Sequence, residues 1–251
     1  MLGSAVYFTS RIFIQNAFDN LTNLAICTYL TSQTYLFYRT IRALRQIGEQ
    51  PTLKSRISKA YEQLDGLMFY PSNNPLHRRK LIRKLLENVD PEGKILVSLG
   101  GNVGRIENKL AELGADVINI DTSVSGLEKC KKINPEIECV VADAESLPLK
   151  NNSADILFSS EAIGHFSPTE VFGEAHRVLK EDGVAQISTY KNTSYNRCVV
   201  RSGLGLYKLY PSGHLSSIAI DAGFNQANEK EYWSLSAFFE PRKMTMLTAK
   251  K

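Results

Sequence analysis

Cysteine and histidine are scarce in this sequence, with four of each among 251 residues. The cysteines lie far apart, no Cys-x-x-Cys pair occurs, and no histidines cluster beside them. Structural zinc sites need closely spaced ligands, and disulfide-stapled domains need dense cysteine pairs. The sequence therefore predicts no metal site and no disulfide framework, and it favours a reducing, cytoplasmic compartment.

A long apolar run is also missing. A membrane-spanning helix needs about 18 uninterrupted apolar residues. The apolar stretch near the N-terminus is interrupted by polar side chains, namely Arg11, Gln15, Asn16, Asp19 and Asn23. No positively charged start precedes a clean apolar core, as a secretory signal requires. We expect neither a spanning helix nor a secretory signal.

Acidic residues are few in the N-terminal third only. Residues 1–90 hold 12 Lys and Arg against 6 Asp and Glu, whereas residues 91–251 hold 18 against 20. This excess is too small for a nucleic-acid-binding surface, which normally shows a strongly basic stripe. The sequence thus predicts no nucleic-acid partner. It is compatible with an acidic substrate or an anionic membrane surface near this third.

Residues 1–60 are predicted to form a helical extension in front of a domain that covers residues 61–251. Apolar residues at helical spacing and eight aromatics between Tyr7 and Tyr38 indicate amphipathic helices. Three interpretations stay open. The segment is a cap on the main domain or on a second copy in a homodimer, a helix in peripheral contact with a membrane surface, or an organelle presequence.

From residue 94 onward, short apolar runs alternate with helical stretches. The runs predict strands at 94–99, 115–120, 137–142, 154–160 and 183–190, with helices after Gly104 and at 123–132 and 168–179. A helix at 212–222 and strands at 229–239 and 242–249 follow. Such alternation is typical of a doubly wound α/β domain.

In such a sheet the ligand lies beyond the carboxyl ends of the strands, near the point where the strand order reverses. Glycines after the first strand, Gly100 to Gly104, let the backbone turn sharply and approach a ligand closely. Asp121 follows 17 residues later, where a carboxylate can accept both hydroxyls of a ribose. Asp143 opens a polar loop that can contact a purine edge. These strand ends together predict a nucleoside site.

The glycine spacing argues against a dinucleotide. A pyrophosphate site requires Gly-x-Gly-x-x-Gly. Counting from Gly100 places Asn102 and Arg105 at the second and third glycine positions, and counting from Gly101 places Val103 and Ile106 there. The sequence therefore disfavours a nicotinamide-dependent oxidoreductase.

Several segments together carry a family resemblance. They are Val97–Gly104, Asp121, Asp143–Pro148, Asn152–Leu157, Ser160–Phe166 and Glu174–Gly183. Residues 94–190, about 100 of the 251, resemble class I S-adenosylmethionine-dependent methyltransferases. They are similar to the small-molecule group that contains the menaquinone and ubiquinone C-methyltransferases. The resemblance implies a Rossmann-like seven-stranded sheet and S-adenosylmethionine as the cofactor.

The resemblance also implies cofactor-binding roles for individual positions. The residues concerned are Ser98, Gly100, Gly101, Asn102, Gly104, Asp121, Thr122, Asp143, Ala144, Ser160 and Tyr61. The glycine loop would pass under the methionine part of the cofactor, and Asp121 would hold the ribose. Asp143 and the Ala144 N–H would bind the adenine. Tyr61 would cover the cofactor carboxylate.

Two positions depart from the family pattern. The family usually has an acidic residue where Ser98 stands, close to the cofactor's amino group, and a glycine where Asn102 stands. Serine accepts a hydrogen bond but supplies no charge. Asparagine tolerates a positive φ better than most residues, so we expect the turn to survive. These departures keep open an alternative function, a non-catalytic binding or scaffold subunit with a methyltransferase-like fold.

Methyl transfer from a sulfonium requires mainly an in-line arrangement of nucleophile, methyl carbon and sulfur. A general base is needed only when the acceptor must lose a proton. His165 and Glu161, just after the fourth predicted strand, are the candidate catalytic residues. Enzymes that methylate exocyclic amines of bases tend to carry Asn/Asp-Pro-Pro-Tyr/Phe there, and this sequence does not. We therefore expect a small, lipophilic acceptor, covered by the aromatic-rich N-terminal helices.

Overall fold

The computed structural model describes residues 74–194, 196–197, 207–235 and 241–251. By its internal contacts the chain divides into two units, Met1–Glu49 and Gln50–Lys251, and everything described belongs to the second. The helical extension over residues 1–60, its boundary with the following domain, and Tyr61 lie outside the described residues and remain predictions.

The described part alternates strands and helices in the predicted order. The strands are β1 (Ile95–Leu99), β2 (Asp116–Asp121), β3 (Glu138–Val141), β4 (Ala154–Ser160), β5 (Leu179–Tyr190), β6 (Gln226–Leu235) and β7 (Pro241–Lys250). The helices are α1 (Pro75–Leu86), α2 (Arg105–Ala111), α3 (Val124–Ile133), α4 (Pro168–Val178) and α5 (His214–Asp221), with a 3-10 turn at Ile163–His165. Within the described ranges, no helix combines the length and apolar character needed to cross a bilayer.

The seven strands form one mixed sheet in the order β3-β2-β1-β4-β5-β7-β6. Strands β1 to β5 are parallel, and β7 runs antiparallel between β5 and β6. The chain moves outward from β1 to β3 and then returns to place β4 on the other side of β1. The switch point therefore lies between β1 and β4. This topology confirms the prediction of a doubly wound α/β sheet.

Both faces of the central strands are buried, which explains why they read as continuous apolar runs. On β1, Leu96 belongs to one apolar core, whereas Val97 and Leu99 belong to the core on the opposite face. Ser98 and Asn119 are polar exceptions in the middle of this apolar sheet, and both are buried. A buried polar side chain needs a hydrogen-bond partner, so we expect Ser98 and Asn119 to form specific hydrogen bonds within the sheet.

Helix α1 places a histidine in the core. The Asn74 side chain caps the helix by accepting from the Leu76 N–H at 2.9 Å, and Pro75 occupies its first turn. The buried residues His77, Leu81 and Leu85 recur every four positions, so they share one face of the helix.

Strands β5 and β6 differ most from their predicted bounds. Strand β6 covers Gln226–Leu235 instead of 229–239. We predicted that β5 starts at residue 183, whereas it begins at Leu179 and its register against β4 shifts after Ala154. Asp182 in this irregular stretch has φ 64°. The polar Glu181-Asp182-Gly183 segment is typical of a turn, and here it forms a bulge inside a strand instead.

Gly104 provides a test of how tightly the loop after β1 is packed. It has φ 72°, and a Cβ added there would lie 2.2 Å from Cys130 Sγ, whereas Gly213 has φ 81° with nothing within 4 Å of its Cβ position. We expect Gly213→Ala to cost about 1–2 kcal/mol for the left-handed backbone. Gly104→Ala should cost about 1–3 kcal/mol more because of overpacking. Urea unfolding of both variants measures the difference, and equal losses would contradict this packing.

Candidate functional site

The loop that follows β1 is shaped by positive φ angles at alternate residues. Gly100 and Gly104 both have φ 72°, and Asn102 between them has φ 47°. The expectation that asparagine would preserve this turn is confirmed. The Gly100 N–H donates to Ile120 O at 2.8 Å, which ties the loop to the end of β2. A Cβ on Gly100 would lie 2.6 Å from Ala162 Cβ, so the loop also lies against the segment after β4.

Asp121, the last residue of β2, fastens this loop from the other side. Its Oδ2 accepts from the Asn102 N–H at 2.9 Å and its Oδ1 from the Ser123 N–H at 2.8 Å. Burial raises the pKa of the Asp121 carboxyl, and these backbone N–H groups act in the opposite direction. An ionised carboxylate has about four lone-pair sites, so the side chain retains acceptor capacity for a ligand. Thr122 beside it is exposed.

Asn119 holds the same loop from below, and the sequence analysis missed it. Its Nδ2 donates to Asn102 O at 3.1 Å and to Cys130 Sγ at 3.4 Å. The Asn102 side chain lies against α3, where a Cβ on Gly126 would come within 2.4 Å of Asn102 Oδ1. The signal for Asn119 was its place inside an apolar strand, where an amide is tolerated only with a partner.

The loop after β3 is held by α4. Asp143 Oδ1 accepts from the Glu145 N–H at 3.0 Å, and Ala144 is buried. Glu174 accepts from the Leu147 N–H at 2.6 Å, and Arg177 pairs with Glu174 at 2.7 Å while donating to Leu147 O at 3.0 Å. Arg177 holds the pKa of the Glu174 carboxyl below its ordinary value. The adenine-side residues proposed from the sequence thus lie on an anchored loop.

Ser98 shares a buried hydrogen bond with a carboxylate from α2. The Ser98 hydroxyl donates to Glu107 Oε1 at 2.6 Å, and both side chains are buried. Burial raises the pKa of the Glu107 carboxyl, opposed by Ser98 and by N–H groups of the first turn of α2. The sequence analysis treated position 98 as lacking a charge, and it missed Glu107 because the residue lies on a different element.

Glu161 follows β4 directly and has φ 58°, which is unusual for a residue with a side chain. Its N–H donates to Ser188 O at 2.8 Å. Its carboxylate meets His77 Nε2 at 2.5 Å and accepts from the Tyr190 hydroxyl at 3.0 Å. His77 Nδ1 is 2.7 Å from Ser234 Oγ, so each ring nitrogen lies close to an oxygen of a distant residue.

His77 is followed in the sequence by Arg78, Arg79 and Lys80, a basic run that is typical of an exposed helix surface. The structure instead places His77 on the buried face of α1, where it is 1% exposed. Its partners come from the distant elements β4 and β6, which short-range periodicity does not reveal.

Two tyrosines complete the surroundings of Glu161, namely Tyr232, which is buried, and Tyr207, which is half-buried. The Tyr232 hydroxyl is 2.8 Å from Ser188 Oγ, and the Tyr207 hydroxyl is 2.8 Å from Thr189 Oγ1. Burial raises the pKa of both phenols, and the charge of Glu161 adds to the effect. Both phenols therefore stay protonated near neutral pH and surround Glu161 with neutral hydroxyl groups.

His165 lies in the 3-10 turn after β4 and contacts a different partner. Its ring packs edge-on against Tyr207, with centroids 4.9 Å apart. Tyr207 in turn packs against Tyr190, with centroids 5.4 Å apart, and Tyr190 donates to Glu161. The two catalytic candidates thus stand at opposite ends of a chain of contacting side chains. Ser160, the last residue of β4, is partly buried beside them.

The central segment of the chain is similar to known methyltransferases. Residues 97–187 match the family described as Methyltransferase domain. An uncharacterised methyltransferase of Schizosaccharomyces pombe is 30% identical over 93 residues, which is 37% of either chain. The demethylmenaquinone methyltransferase of Renibacterium salmoninarum is 25% identical over 104 residues, 41% of this chain and 44% of that one. The match to the S. pombe protein thus spans little more than a third of that relative's length.

A solved structure extends the likeness to most of the chain. Phosphoethanolamine N-methyltransferase 2 of Haemonchus contortus, solved with S-adenosyl-L-methionine, superposes with a TM-score of 0.64 at 15% sequence identity. The likeness covers 81% of this chain and 60% of that one. At this level of identity the comparison supports the fold.

The pair formed by His77 and Glu161 has a measurable energetic signature. Their side chains are 1% and 9% exposed, and removing one partner of a buried polar contact leaves the other group unsatisfied. We expect His77→Ala to lower the free energy of unfolding by about 1–3 kcal/mol. The double variant with Glu161→Ala should lose less than the sum of the single variants.

The exposed pair Lys109 and Glu112 is the matched control, since its side chains are 54% and 49% exposed. Lys109→Ala should leave the free energy of unfolding nearly unchanged. Chemical denaturation of all four variants makes the comparison. Strict additivity of His77→Ala and Glu161→Ala would show that the pair contributes no coupling.

Proposed function

We propose that this chain, whose residues 97–187 form a methyltransferase domain, transfers a methyl group from S-adenosylmethionine to a small, lipophilic acceptor by in-line displacement. The observation that carries the proposal is the hydrogen bond from the Asn102 N–H to Asp121 Oδ2 at 2.9 Å. It joins the glycine loop to the carboxylate after β2, at the switch point of the sheet.

The residues at the strand ends fit the cofactor by their chemistry. Gly100 and Gly101 bring backbone without side chains to the end of β1. Asp121 offers a fixed carboxylate with spare lone pairs, which suits ribose hydroxyls. Asp143 and the Ala144 N–H would hold the adenine from the anchored loop after β3. When bound, S-adenosylmethionine supplies a methyl group on a sulfonium, which is already a good leaving group.

The protein's contribution is then positioning. Holding the reacting atoms in line can lower a barrier by about 7–11 kcal/mol. The loop after β1 and Ser160 at the end of β4 would position the methyl donor. Tyr207 and Tyr232 would present neutral rings to the acceptor, which supports a lipophilic class of acceptor. Residues 1–60, by the same proposal, contact a membrane surface or a second copy.

A proton acceptor is needed where the methylated atom carries a proton, as in a phenol or a carbon acid. We assign this role to Glu161. His77 and Tyr190 fix its carboxylate at the end of β4. The acceptor's proton would pass to the Glu161 carboxylate, and the cofactor would supply the methyl group and leave as S-adenosylhomocysteine. His165, packed on Tyr207, is the competing candidate.

The second candidate function is a non-catalytic binding or scaffold subunit. Position 98 holds serine and position 102 holds asparagine, both departures from the family pattern. Cofactor binding without transfer to any acceptor would favour it.

The cofactor site is tested by calorimetric titration with S-adenosylmethionine and S-adenosylhomocysteine, with NAD as the negative control. We expect micromolar binding of the first two ligands only. Asp121→Asn should weaken binding about 10- to 100-fold, because hydrogen bonds to a charged group are worth about 1.5–3 kcal/mol. Asp116→Asn, at the exposed start of the same strand, should change nothing. Binding of NAD alone would refute the proposal.

Catalysis is tested with S-adenosylmethionine carrying a labelled methyl group and a panel of quinones and phenols. With a responsive acceptor, Glu161→Gln should lower kcat by about 10²–10⁴-fold while cofactor affinity is retained, since it removes the proposed base. His176→Asn on α4, whose ring packs on Phe224, is the control. A larger loss in His165→Asn would transfer the base role to His165.

A further inference from the structure

A buried carboxylate lies directly against the loop that follows β1. Glu107 is 2% exposed, and a Cβ built on Gly101 would lie 2.8 Å from Glu107 Oε1. The same Cβ would lie 2.3 Å from Asn119 Oδ1. Two oxygen acceptors from different elements, α2 and β2, therefore converge beneath Gly101.

Neither acceptor has a cationic partner within the described ranges. Asn119 is fully buried and its Oδ1 accepts no hydrogen bond. Glu107 accepts from the Ser98 hydroxyl at 2.6 Å and from backbone N–H groups of α2, and no Lys, Arg or His side chain of the described residues pairs with it. A buried carboxylate without a counter-charge is costly, so this arrangement favours a positively charged donor, and no residue of the described ranges supplies one.

The other groups that face Glu107 do not supply that charge. Asp121 at the end of β2 is acidic and raises the pKa of the Glu107 carboxyl further. Cys130 on α3 has a pKa raised to about 12 and stays a neutral thiol near pH 7. Burial and the charge of Arg105, at the start of α2, lower the pKa of Arg78 on α1, and Arg105 is not among the groups that shift the pKa of Glu107.

We propose that Glu107, acting through Ser98, supplies the negative charge that holds the α-ammonium of S-adenosylmethionine. The inference rests on the proposed function and deepens it, because it assigns the charge missing at position 98 to a residue on α2. The Ser98 hydroxyl donates a hydrogen bond to Glu107, which leaves the serine oxygen's lone pairs for a donor from the ligand. Glu107 is thus a positioning residue, and Ser98 is the group through which it acts.

Two ligands that differ only at the amino-acid end separate this role from simple support of the loop. S-adenosylhomocysteine carries the α-ammonium, whereas 5′-methylthioadenosine keeps the adenosine and thioether and lacks the amino-acid end. We expect Glu107→Gln to weaken binding of S-adenosylhomocysteine about 10- to 100-fold, the usual worth of a charge-assisted hydrogen bond. Binding of 5′-methylthioadenosine should change less than about threefold.

Three further variants sharpen the experiment. Ser98→Ala should weaken binding of S-adenosylhomocysteine selectively as well, and it keeps the test intact should Glu107→Gln fail to fold. Ser98→Asp combined with Glu107→Gln should restore affinity, because it returns a carboxylate to β1. Glu112→Gln, at the exposed end of α2 and paired with Lys109, is the matched control and should leave both affinities unchanged.

Proton release on ligand binding distinguishes a role of the Glu107 charge from a role of Glu107 in supporting the loop. Burial raises the pKa of the Glu107 carboxyl in the free protein, and a bound ammonium would lower it. Binding of S-adenosylhomocysteine should therefore release a proton at pH values between the bound-state and the free-state pKa of Glu107, and it should weaken as pH falls through the free-state pKa. Calorimetry in buffers of different ionisation enthalpy should detect this proton in wild type and not in Glu107→Gln.

Equal weakening of both ligands in Glu107→Gln, or no weakening of either, would overturn the inference while leaving the proposed function standing. Failure of the wild-type protein to bind either ligand would overturn both. In that case the calorimetric titration with S-adenosylmethionine would also show no binding.

Discussion

The hydrogen bond between the Asn102 N–H and the Asp121 carboxylate sets the geometry of the whole candidate site. It joins the loop after β1 to the end of β2, and Asn119 secures the carbonyl of the same residue from below. Because β1 and β4 adjoin at the switch point, a displacement of this loop would also move its contact with Ala162 after β4. One backbone amide therefore couples three strand ends.

Three carboxylates near these strand ends are buried or nearly so, and each is stabilised differently. Asp121 is held by backbone N–H groups. Glu161 is paired with an imidazole and a phenol. Glu107 has a hydroxyl and the N–H groups at the start of its own helix. Desolvation costs each of them, so the carboxylate with the weakest set of partners is where a cation from a ligand would be stabilised most.

The sheet could be predicted because its central strands are apolar on both faces and its helices have clear periodicity. For strands that local sequence defines, such as β1 and β4, the predicted bounds agree with the structure to within one residue. The bulge in β5 was not predicted, because the polar residues there have the composition of a turn. The pairings of His77 and Glu107 were also missed. His77 and Ser234 are 157 residues apart in the sequence. The basic residues next to His77 are typical of an exposed helix surface, so the sequence does not indicate that this histidine faces the core.

Methyl transfer moves positive charge off sulfur, so a site for it gains nothing from a nearby fixed cation. The described surroundings of Glu161 agree with that requirement, since the nearby phenols of Tyr207 and Tyr232 have raised pKa values and stay neutral near pH 7. The imidazole that pairs with Glu161 lies in the core between α1 and β6. A carboxylate in such surroundings can receive a proton from an acceptor, because the hydroxyl groups around it cannot compete as acids near neutral pH. The same dry surroundings would exclude water, the simplest competing nucleophile.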